Sequence, residues 1–186
     1  MTIDVHGHII PESLLQNSEF GIALEGRVES GLRIRAWGVT VDAIKEDLFN
    51  PEIQVWSMGA EGIDKRVISL PPFLFGYGKE SSWAKTWVQA GNDALSGICA
   101  KSSGRFVGFG IVPLQDPDLA VAEMRRCFHD LGLSGIEIGI EPVGAVADFD
   151  PAVRLVVERV PLGRVGREGR ATGERDQSGR CEEPGH

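Results

Sequence analysis

Met1-Thr2-Ile3-Asp4-Val5-His6-Gly7-His8-Ile9-Ile10 is the stretch from which the organisation of the remaining chain follows. It is a short β-type run with two histidines one residue apart, and residues i and i+2 of an extended strand point to the same side. His6 and His8 therefore face one space, where two imidazole lone pairs can close on a single ion at roughly 2.0–2.1 Å, the usual zinc–nitrogen distance. Gly7 between them leaves room for close backbone approach. Taken alone, so short a motif also recurs by chance without a metal. Asp4 shares the parity of His6, which suits either a group orienting that imidazole from behind or a solvated strand start.

Working outward, Pro11 opens a loop, and the partial alternation of Val28, Leu32, Ile34, Val39 and Val41 predicts a small antiparallel excursion between Leu24 and Ile44. Asn50-Pro51 is a helix start, a capping side chain followed by proline at the first helical position. In that helix Ile53, Trp56 and Ala60 share a face, and Gly62 suits its exit. Arg66 to Leu70 is a short apolar run of strand length, ended by Pro71-Pro72. The residues Trp83, Trp87, Leu95 and Ile98 recur near helical spacing and predict an amphipathic helix to about Lys101. Phe106 to Val112 is a further strand. Asp116-Pro117 then repeats the helix-start chemistry, with Val121, Met124, Phe128 and Leu131 lining the helix and Gly132 ending it. Gly135 to Gly139 is a fourth strand, and Asp150-Pro151 opens a fourth helix.

Strand, loop and helix thus alternate four times, which implies βαβ units and a parallel sheet with helices outside. A closed (β/α) barrel needs eight such units over roughly 250 residues and keeps its chemistry at the C-terminal ends of the strands. The fold class expected is therefore α/β, an incomplete TIM-type barrel of about four units over residues 1–160. Pro161 to His186 has no aromatic residue and a recurrent Gly-Arg pattern. It cannot bury enough apolar surface to offset its ordering entropy, so disorder is expected there. This segment reads either as a flexible tail or as an out-of-frame or truncated end, and the sheet edge left unpaired after four units favours the second.

At 186 residues, 42% apolar and 25% charged, the composition is that of one globular domain. A net charge of −8 argues against nucleic acid or an anionic membrane as the main partner. No apolar run has the length of a membrane span, and the metal-candidate strand lies too close to Met1 for a cleaved leader. Cys99, Cys127 and Cys181 are odd in number without CxxC spacing, which points to reduced thiols in a cytoplasmic setting.

Several segments, in this order, carry a family resemblance: Ile3 to Pro11, Asn50-Pro51-Glu52, Ser69 to Tyr77, Asn92-Asp93, Arg105 to Gly108, Val112 to Pro117, and Leu131 to Ile136 with Ile138-Gly139. Together they resemble the amidohydrolase superfamily, in particular the branch containing aminocarboxymuconate-semialdehyde decarboxylase. The resemblance implies a divalent metal, usually zinc, held by His6 and His8 together with a later histidine and an aspartate. It also implies non-oxidative loss of CO2 from an unsaturated or aromatic carboxylic acid, and a homodimer. The metal would lower the pKa of a bound water and polarise the substrate. The later histidine would fall where this chain reads Pro161-Leu162-Gly163-Arg164. An arginine that holds the substrate carboxylate in the family would fall where this chain offers Asp42, with Lys45 nearby. That departure keeps a hydrolase, lactonase or hydratase open as the activity, and the missing ligands keep an inactive fragment open.

Three further groups have two readings each. Phe73, Phe75 and Tyr77 could line a pocket for a flat unsaturated substrate or pack in the core. Glu137 alternates with Ile136 and Ile138, so it is either a structural partner inside the barrel or a group at the metal-bearing end. His129, near a helix C-terminus, is a solvated, dipole-favoured imidazole or a ligand. His186 is terminal and carries no signal.

Overall fold

The computed structural model describes residues 1–28 and 31–139. The fourth helix expected from Pro151 and the tail expected after residue 160, Cys181 included, lie outside the described residues.

Four strands form a parallel sheet in the order β1 (Ile3–Asp4), β5 (Lys65–Ile68), β6 (Phe106–Gly110) and β7 (Gly135–Ile136). Between β1 and β5 stand α1 (Glu12–Gln16), the strands β2 (Ile22–Val28), β3 (Gly31–Ala36) and β4 (Val39–Ile44), and α2 (Pro51–Ala60). Helix α3 (Ser81–Lys101) joins β5 to β6, and α4 (Pro117–His129) joins β6 to β7. The described residues therefore form the run of consecutive parallel strands expected of a half-barrel, as an open sheet and not a closed barrel. The antiparallel excursion is a separate three-stranded sheet in the order β2-β3-β4. No helix among the described residues is long and apolar enough to cross a membrane.

The two Asx-Pro pairs among the described residues start helices by the expected chemistry. Asn50 Oδ1 accepts from the amides of Glu52 and Ile53 at 2.9 and 3.3 Å, and Asp116 Oδ1 accepts from Asp118 and Leu119, both at 3.1 Å. The expected face of α2 is wrong. Trp56 is 76% exposed, whereas Gln54 and Met58 are buried. The rotation is set by the Gln54 amide, which donates to the carbonyls of His8 and Asp47 at 2.8 and 2.9 Å and turns the opposite side outward. On α4 the correction is smaller. Phe128 is exposed and Leu131 lies past the helix, while Ala120 and Cys127 join Val121 and Met124 in the buried face. Helix α1, in what the sequence suggested as loop, buries Leu14.

One apolar cluster lies between α3, the small sheet and the loop after β5. Trp87 is fully buried there and donates its indole N–H to the Leu74 carbonyl at 2.7 Å, while Trp37 does the same to Phe20. A second cluster, including Ile9, Met58, Ile68, Leu95 and Cys127, fills the space between the parallel sheet and its helices. Asn92 of α3 ties these layers together: its side chain accepts from the Ile111 amide, donates to the Ile111 carbonyl, and donates to Glu123 of α4. Those bonds replace ladder bonds at Ile111, so β6 ends at Gly110, earlier than expected.

Candidate metal centre

The opening strand is not continuous through His8. Regular pairing stops at Asp4↔Arg66 and returns as an isolated bridge at His8↔Ser69, so four steps on the first segment (4 to 8) face three on the second (66 to 69). One extra residue is accommodated there, as in a β-bulge. The cause is local. Asp4 Oδ1 accepts from the His6 amide at 3.2 Å, an Asx-type bond that competes with the ladder. The same carboxylate binds Arg66 Nε at 2.7 Å, and Arg66 also reaches Glu61 at 3.5 Å. Asp4 therefore holds the backbone of His6, not its ring.

After this break the sheet resumes, with Ser69 N donating to Gly7 O at 3.1 Å and Ile9 N to Ser69 O at 2.9 Å. The two imidazoles emerge together, their ring centroids 4.6 Å apart and edge to face. Gly7 is required between them, because a Cβ there would meet Arg66 Cδ at 2.7 Å and the Val67 carbonyl oxygen at 3.1 Å.

Sequence reasoning left the third member of the site undecided. Glu137 follows β7, and one ligand atom from each of His6, His8 and Glu137 lies within 4.8 Å of the others. The only advance signal was its alternation with Ile136 and Ile138. Ser69, immediately past β5, links the group: its hydroxyl donates to Glu137 and lies 3.1 Å from His8 Nδ1. All four residues follow the C-terminal ends of parallel strands, where barrel chemistry is placed. Donors 2.0–2.2 Å from a common ion stand at most about 4.4 Å apart, so a small rotation of one side chain would close the set.

Electrostatics favour ligation by His8. Burial holds its pKa below the ordinary 6.5, outweighing the opposing pull of Glu137, and the nearby His6 lowers it further. A neutral imidazole keeps a lone pair for a metal. Burial also pushes the Tyr77 hydroxyl up to about 12.

Of the pocket candidates, Phe75 is buried in the core, with Phe73 and Tyr77 packed partly buried against it. Phe75 and Tyr77, with centroids 5.6 Å apart, border Gly139, whose amide donates to the Tyr77 hydroxyl oxygen at 3.2 Å. These two rings thus reach the strand end that carries Glu137. His129 is exposed on α4, away from the pair of histidines. Asp42 is exposed on the small sheet and bound to Arg33 through both oxygens, at 2.6 and 2.8 Å. Cys99 and Cys127 are free thiols. A broad groove runs between α1, α2 and α3, past Leu15, Val55 and Ile98. His6, His8 and Glu137 do not line it.

Comparison with known proteins gives a consistent picture. A sequence profile described as amidohydrolase matches residues 3–164. The 2-amino-3-carboxymuconate-6-semialdehyde decarboxylase of Dictyostelium discoideum is 28% identical over 163 residues, which are 85% of this chain and 45% of that protein. The gamma-resorcylate decarboxylase of a Rhizobium species is 38% identical over 78 residues, 42% of this chain and 24% of that protein. A 5-carboxyvanillate decarboxylase from Novosphingobium aromaticivorans, solved with manganese and 3-methoxy-4-hydroxy-5-nitrobenzoic acid, superposes with a TM-score of 0.61 at 26% identity. It is matched over 85% of this chain and 48% of its own. The chain thus spans less than half the length of these relatives.

Proposed function

This chain belongs to the amidohydrolase family, and from that premise we propose that it carries the amino-terminal share of a metal-dependent, non-oxidative decarboxylase of an aromatic or unsaturated carboxylic acid. The observation that supports it is the convergence of His6, His8 and Glu137 at the strand ends of a chain whose matched relatives are decarboxylases. Two imidazole nitrogens and a carboxylate oxygen suit a divalent ion, zinc by ligand type and manganese by analogy with the solved relative. When bound, such an ion supplies a Lewis acid for the substrate's oxygens.

The chain's own residues have separable tasks in this reading. His6 and His8 offer nitrogen donors, Asp4 and Gln54 hold the backbone around them, and Glu137 offers an oxygen. Phe75 and Tyr77 back the adjoining wall, which suits a flat ring. In the reaction the bond between ring carbon and carboxylate breaks, its electron pair stays on carbon, CO2 leaves, and a proton takes its place. The free thiols of Cys99 and Cys127 support a cytoplasmic setting. The assembly proposed is a homodimer.

A second reading, a hydrolase, lactonase or hydratase of the same family, rests on Asp42, which stands where the resemblance calls for a carboxylate-binding arginine and is itself bound to Arg33. The test is stoichiometric metal analysis of the purified chain after equilibration with Mn2+ or Zn2+, followed by CO2 release from hydroxybenzoic acids and unsaturated dicarboxylic acids, against lactone and amide hydrolysis. CO2 release that depends on the metal and is lost in His6→Ala supports the first reading. Hydrolysis without CO2 release supports the second. Metal binding without either turnover identifies a non-catalytic fragment, and no metal in the folded chain ends the metal reading.

A further inference from the structure

We propose that Ser69 is a positioning residue that fixes which ring nitrogen of His8 is offered to an ion; the proposal rests on the metal reading above. Ser69 is 1% exposed and lies between two members of the site. A hydroxyl has one hydrogen and two lone pairs. Ser69 gives its hydrogen to Glu137, so towards His8 Nδ1, 3.1 Å away, its oxygen can only accept. The hydrogen of that second bond must then come from the imidazole. Nδ1 is protonated, and the lone pair of the neutral ring is left on Nε2. Metal-ligating histidines are commonly oriented in this way, by a partner on the nitrogen that does not bind the ion.

The backbone holds the relay from both sides. Ser69 is paired to the histidine segment through Gly7 O and Ile9 N, and the His8 carbonyl is fixed by Gln54. Glu137 has a second oxygen that Ser69 does not engage, so it can serve the relay through Oε2 and an ion through Oε1. Donor choice at His8 is thereby set by a residue that touches no ion.

The test is 15N NMR of the ring nitrogens in the full 186-residue chain labelled at histidine, without metal at pH 7.5, with His8 assigned by loss of its signals in His8→Gln. Mn2+ and Zn2+ affinities are measured alongside by calorimetry. The wild-type chain should give the Nδ1-protonated pattern. Ser69→Ala should move His8 towards a mixture of tautomers and weaken metal binding by roughly tenfold or more, and Ser69→Thr, which keeps the hydroxyl, should restore both. Should Ser69→Ala fail to fold, Glu137→Leu serves instead, since it frees the hydroxyl's hydrogen for His8 and should loosen the same preference. An unchanged Nδ1-protonated pattern in Ser69→Ala, or in Glu137→Leu, overturns the proposal while leaving the metal reading intact. A wild-type chain that binds no ion but whose tautomer responds to Ser69→Ala overturns the metal reading and leaves the relay standing.

Discussion

Asn92→Ala tests the packing that brings the strand ends into register. Asn92 is 1% exposed, and its side-chain amide makes three buried bonds: it accepts from Ile111 N at 2.9 Å, donates to Ile111 O at 2.9 Å, and donates to Glu123 Oε1 at 2.7 Å. Truncation strands both backbone groups of Ile111, which is itself fully buried. Each unpaired buried group costs about 1–3 kcal/mol, so the pair costs about 2–6 kcal/mol. Glu123 keeps two bonds from Arg126, at 2.9 and 2.8 Å, and adds little to the loss. Set against a total stability of about 5–15 kcal/mol, that is a large fraction. The assay is urea unfolding followed by tryptophan fluorescence, in which the buried Trp87 is a natural reporter, with the midpoint falling and the slope unchanged. A loss under about 1 kcal/mol would refute the reasoning, because it would mean that water or a shifted neighbour satisfies Ile111 as well as the amide does.

Other perturbations probe the site and the titrating groups. Gly7→Ala forces its new methyl against Arg66 Cδ and the Val67 carbonyl, and overpacking of this kind costs about 1–3 kcal/mol; a lowered melting temperature with weakened metal binding is expected, since Arg66 is the partner of Asp4. Burial raises Tyr77 and Cys127 to about 12 and Cys99 to about 11, above their ordinary values of 10.0 and 9.0. Their contribution to stability is therefore complete below about pH 9 and is lost as pH rises towards 12, which an alkaline denaturation curve will register. At pH 7.5 the same two cysteines should resist iodoacetamide in the native chain and react in urea, as read by peptide mass spectrometry. His8 shifts in the opposite sense: its folded pKa lies below 6.5, so the metal-free fold should lose stability as pH falls through about 6.5, and His8→Gln should flatten that dependence.

The parallel sheet with its helices was legible because its punctuation is local. Asn50-Pro51 and Asp116-Pro117 state helix starts in two residues each, and both caps form as that chemistry requires. The facing of α2 was not legible, because Ile53, Trp56 and Ala60 satisfy helical periodicity as well as the buried Gln54 and Met58 do. What decides between the two faces is a hydrogen bond from Gln54 to His8, 46 residues away in sequence. Glu137 was ambiguous for the same reason. Alternation says which side of a strand a residue takes, but its meeting with His6 and His8 depends on the order of four strands and the register between them.

The histidine pair shows how local chemistry can reach an anticipated arrangement by another route. Parity in an unbroken strand was the argument for His6 and His8 sharing a space, yet the ladder breaks between Asp4 and His8. A plain strand would commit the amide of His6 to pairing; here Asp4 takes it, and the extra residue of the first segment is absorbed where Gly7 lets Arg66 pass. The rings then converge because two side chains, Asp4 and Ser69, hold positions that the sheet itself leaves free. It follows that replacing Asp4 should disturb His6 more than His8, whose backbone is tied independently through Ser69 and Gln54. In an Asp4→Ala chain, therefore, the ring signals of His6 should broaden or shift while those of His8 stay put, and equal disturbance of both rings would mean that the break in the ladder is not what places them.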